Sequence, residues 1–67
     1  MNTIFILWVI WTGAVPLDAR PTTQYATLSG CLTSVPANRE LVKENIAKLA
    51  DMGITTTFLC LPAGTRP

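Results

Sequence analysis

The chain has no histidine in its 67 residues, and that absence removes the Cys-His and Ser-His couples that activate most catalytic nucleophiles. Charge is nearly as scarce. Five Lys and Arg against four Asp and Glu leave a net charge of +1, too little for an electrostatic nucleic-acid groove, an acidic-substrate trap or a charge-swollen disordered tail. C-x-x-C pairs, Gly-rich phosphate loops and internal repeats are all missing. With two cysteines and scattered carboxylates at unsuitable spacing, a zinc site is not expected. Glu40 and Glu44 stand four residues apart, but Lys43 and Lys48 are interleaved with them, the pattern of a solvated helix surface. The expectation is a chain that is not an enzyme, with no catalytic residue, cofactor or metal, no nucleic-acid partner and no small-molecule substrate.

What is present is unevenly distributed. Apolar side chains make up 49% of the chain, and an unbroken run of them, Ile4, Phe5, Ile6, Leu7, Trp8, Val9, Ile10 and Trp11, precedes the first charged side chain at Asp18. As a helix, the 14 residues from Ile4 to Leu17 would rise about 21 Å, short of the roughly 30 Å of a bilayer core. That length suits the apolar region of a signal peptide, with cleavage after Ala14 or Ala19. Met1-Asn2-Thr3 carries no Lys or Arg to hold the amino end on the cytoplasmic side, so an uncleaved membrane anchor is the rival. A buried sheet strand would look similar, since all eight residues are β-branched, aromatic or Leu. The position of the run favours residues 1–19 as a signal peptide or anchor. The rest of the chain would then lie outside the cytoplasm, exported to the periplasm or beyond, or held on a membrane through residues 4–17.

Residues 20–24, with Pro21, Thr22 and Thr23, suit a linker, which leaves residues 25–67 for a small α+β domain. A helix is expected from Asn38 to Met52. Leu41, Val42, Ile46, Leu49, Ala50 and Met52 fall on one side of it, Asn38 can cap it, and Glu44 to Lys48 is a favourable i,i+4 pair. Gly53 should end it in a left-handed turn, with Ile54 folding back onto Leu49. Asn45 falls inside the apolar arc and is the candidate partner contact. Ile54–Leu61 reads as a strand, Gln24–Leu28 as another, and residues 29–35 as either strand or helix with Thr27 or Ser29 as its cap. The expected fold is a strand-helix-strand, β-α-β-like unit.

Cys31 and Cys60 are 29 positions apart and flank the expected helix, so one disulfide could close around it. A loop of about 30 residues gives roughly 3 to 4 kcal/mol in the loop-entropy model, comparable to the whole stability of so small a core. Export would place both thiols where such bonds persist. An apolar start, a Pro/Thr spacer and a cysteine-paired unit resemble, in architecture only, small exported or membrane-tethered proteins of bacteria and their phages. The expected function is a non-enzymatic interaction or structural module of the cell envelope or extracellular space, partnered by an envelope protein or by itself as a homo-oligomer. The alternatives are a membrane-active protein of lysis or toxin type working through its apolar segment, and a secreted ligand or inhibitor.

Overall fold

The computed structural model describes residues 3–67, so Met1 and Asn2 of the expected targeting segment lie outside it. Its elements are strands β1 (Phe5–Thr12) and β2 (Pro16–Tyr25), helices α1 (Leu28–Leu41) and α2 (Lys43–Asp51), and strand β3 (Thr55–Pro62). The three strands form one sheet of order β2-β1-β3, with β1 antiparallel to both neighbours. An α+β fold closed by a disulfide is therefore present, but the sheet has one strand more than expected. β2 and β3 run parallel to each other and are joined through the helices, so the strand-helix-strand unit exists in split form, with β1 inserted between its strands.

The apolar run expected as a signal or anchor segment forms β1, and a membrane anchor at the amino end finds no support. The run from Phe5 to Trp11 lies in the central strand, where hydrogen bonds on both edges and the helices over one face suit β-branched and aromatic side chains. No helix among the described residues is long and apolar enough to cross a membrane. β2 corrects the linker. Prolines are compatible with an edge strand, and the register shift opposite Leu7 and Trp8 accommodates Pro21, while the Thr22 hydroxyl donates to the Leu7 carbonyl at 3.0 Å. β2 ends at Tyr25, so the strand expected at Gln24–Leu28 is displaced toward the amino end.

The undecided stretch 29–35 is helical. Thr27 caps α1 by accepting from the Gly30 N–H at 2.9 Å, and Pro36 sits inside the helix on an exposed turn. Asn38, expected as a cap, lies within α1 and donates from Nδ2 to the Ser34 carbonyl at 2.8 Å. The single helix expected from Asn38 to Met52 is broken at Val42, whose φ of −116° and ψ of 17° leave the helical region. Gly53 ends α2 as expected, with φ of +80°. Its N–H donates to the Ala50 carbonyl and that of Ile54 to the Leu49 carbonyl, the paired bonds of a Schellman turn.

Strand alternation and register put Leu7, Val9, Trp11, Thr56, Phe58 and Cys60 on one face of the sheet. Both helices lie over that face. The Cys31–Cys60 disulfide ties the first turn of α1 to β3, and Leu7 and Cys31 are fully buried beside it. Ile6, Trp8, Ile10, Leu59 and Leu61 occupy the opposite face, which no element among the described residues covers. The molecule measures 43 × 24 × 13 Å, the thickness of a sheet with one helical layer.

Candidate functional site

α1 and α2 use the sheet differently. The inward stripe of α1 is Cys31, Ser34, Val35 and Asn38, spaced at helical intervals, and its small side chains allow close approach to all three strands. The polar members are satisfied locally: the Ser34 hydroxyl donates to the Cys31 carbonyl at 2.6 Å, and Asn38 to Ser34 as above. α2 approaches only β3 among the strands and carries the bulkier Ile46 and Leu49, both half-buried. The bend at Val42 leaves Leu41 82% exposed, so the apolar face expected to seal the core stands partly open.

The result is an open trough of about 730 Å³ between α2 and the sheet, within the roughly 300 to 1,000 Å³ usual for binding clefts. Val9, Trp11 and Phe58 form its sheet wall and Val42, Ile46 and Leu49 its helix wall, with Ile54 at the turn between them. Polar groups stand at the margins: Asp18 and Arg20 of β2, Asn38 of α1, and Asn45 and Lys48 of α2. Asn45, the candidate partner contact, is thus an exposed residue beside the trough. The guanidinium of Arg39 lies 5.1 Å from the centre of the Phe58 ring, a cation-π contact that holds the ring in place.

Thr56 is the most informative polar residue in the trough. It is 8% exposed, and its hydroxyl has no hydrogen-bonding partner among the described residues. A buried hydroxyl left unpaired costs roughly 1 to 3 kcal/mol, so a donor or acceptor delivered from outside would recover part of that cost. Trp8 Nε1, associated with the uncovered face, is likewise buried and unpaired. At the margin, Arg20 Nε donates to Asp18 Oδ2 at 2.9 Å and the Ala19 N–H to Asp18 Oδ1 at 2.8 Å. These bonds, the Arg20 bond first, hold the Asp18 carboxyl below its ordinary pKa of 3.8.

The remaining sequence candidates lie apart from the trough. Ile4 precedes β1, while Phe5, Ile6, Trp8 and Ile10 are half-buried in the strand outside the trough. Glu40 pairs with Lys43 at 2.6 Å on the exposed surface. Among the described residues no group of three metal-ligating side chains comes together. The sheet wall of the trough was hidden in the sequence because Val9 and Trp11 belong to a run that reads as a targeting segment. The β-branched and aromatic composition of that run was the available signal. No protein family, curated protein or solved structure matches this chain.

Proposed function

We propose that the protein is a non-enzymatic interaction module working outside the cytoplasm, in the cell envelope or extracellular space, and that it holds an apolar segment of a protein partner in the trough beneath α2. The observation that carries this reading is the trough itself, with apolar walls, polar groups at its margins and the unpaired Thr56 hydroxyl. A shape of this kind orients an apolar segment through a few polar contacts, and Asn45 is placed to supply one. The Cys31–Cys60 disulfide supports the location, because such bonds persist in oxidising compartments. The working form retains Phe5–Thr12. Cleavage after Ala14 or Ala19 would remove the central strand, and anchoring through residues 4–17 would require that strand to leave the sheet.

The test uses the whole oxidised chain and anilinonaphthalene sulfonate, a dye that fluoresces in apolar clefts. Fluorescence should rise with the wild type and be lost in Ile46→Glu, with far-UV circular dichroism unchanged. Equal dye binding by the two proteins would overturn the trough as the site. Recovery of the chain from its host with both thiols reduced would overturn the extracytoplasmic location.

A further inference from the structure

We infer that two copies of this chain pair through the outer edges of their β3 strands, joining their sheets into one of six strands. The two edges of the monomer's sheet are unlike. β2 carries Pro16 and Pro21, a register shift and the charges of Asp18 and Arg20, all devices that discourage strand addition. β3 reads Thr-Thr-Thr-Phe-Leu-Cys-Leu-Pro, with no charge, and among the described residues no other strand pairs with its outer side. A bare, β-branched edge of this length is a template for another strand.

The backbone shows which groups would pair. Ala63 N–H donates to the Ile4 carbonyl at 2.8 Å, and in the β1-β3 register this directs the odd-numbered residues of β3 toward β1. The N–H and carbonyl groups of Thr56, Phe58 and Cys60 therefore point outward along the free edge. Antiparallel pairing of β3 with itself satisfies them around a two-fold axis, and a strand without charge brings no like charges together.

A second copy fits better than a foreign strand because the pairing is self-complementary and also closes. Each molecule has one usable edge, so a dimer consumes both and the β2 edges terminate the assembly, whereas two usable edges would build filaments. The uncovered faces then become continuous, with Leu59, which is 37% exposed, opposite Thr57 of the partner subunit. A ladder of eight residues buries less than the roughly 800 Å² per partner of a standard interface, which puts the dimer at the weak end of the range.

The test is sedimentation equilibrium of the whole oxidised chain from about 10 µM to 1 mM, the range that resolves weak association. The wild type should move from its 7.3 kDa monomer toward twice that mass and no further. Thr57→Lys places a cation on the exposed, uncovered side of β3 and should remain monomeric. Thr23→Lys, the same charge change on β2, should dimerise like the wild type. Amide exchange of the wild type supplies a readout that does not depend on a variant folding. The Phe58 and Cys60 amides should become protected as concentration rises. A wild type that stays monomeric throughout, higher oligomers, a Thr57→Lys protein that still dimerises, or Phe58 and Cys60 amides that exchange freely in the dimer would each overturn the inference. Dependence of the trough's dye binding on Ile46 is a separate result, so failure of the dimer leaves the proposed function standing.

Discussion

At the residue scale, the features that distinguish this chain are polar groups set against apolar surfaces. Thr56 keeps a buried hydroxyl with no partner among the described residues, in a strand that Val would suit equally well. Thr56→Val should therefore stabilise the free protein against urea by about 1 kcal/mol, by removing an unsatisfied polar atom without changing volume. Destabilisation of that size would show that the hydroxyl is already satisfied. Asp18 offers a second check. Its carboxyl is held below 3.8 by Arg20 and the Ala19 N–H, so whatever it contributes to stability is complete above that value. The contribution is lost as pH falls through the lowered pKa. Arg20→Gln removes the first cause, and an NMR titration should find the Asp18 pKa moved up toward 3.8; an unchanged value would mean that the ion pair does not form in solution.

At the scale of the elements, the end of α2 depends on one backbone conformation. A Cβ at Gly53 would meet nothing within 4 Å, so the cost of a side chain there comes from φ of +80° and not from crowding. Gly53→Ala should destabilise the protein by about 1 kcal/mol, and Gly53→Val by more, in thermal unfolding. Equal melting points would mean that the left-handed turn is absent. This helix end and β3 were legible in the sequence because each has a local cause, a glycine after an apolar stripe and a dense run of β-branched residues. The start of α1 was legible only as one of two alternatives, with Thr27 one of its two candidate caps. Its inward stripe of Cys31, Ser34, Val35 and Asn38 is small and half polar, so it lacks the strong apolar period that marks a helix, and Pro36 adds a misleading stop signal. β2 was hidden for a related reason. Pro21 reads as part of a spacer until β1 lies beside it, and edge position is a property of the sheet. The trough was half legible: α2's apolar arc was visible, but its opposite wall became apparent only when Val9 and Trp11 were placed across from it.

At the scale of the whole molecule, a thin body with few fully buried side chains is held by two long-range devices, the strand β1 and the disulfide. The bond joins positions 29 apart, so its loss should cost roughly 3 to 4 kcal/mol. Cys60→Ser should then be as sensitive to limited proteolysis as the double Ser variant, and both far more so than the oxidised wild type. Equal resistance in all three would show that the bond adds nothing.

The central claim is that the apolar run near the amino end is the middle of the sheet. Because β1 is bonded on both edges, consecutive amides within it are held, whereas an edge strand protects only alternate ones. Residue-resolved amide hydrogen exchange of the oxidised chain measures this directly. The amides from Ile6 to Trp11 should be among the slowest to exchange in the protein. Rapid exchange along that segment, with α1 and β3 still protected, would show a unit that folds without it and would contradict the account.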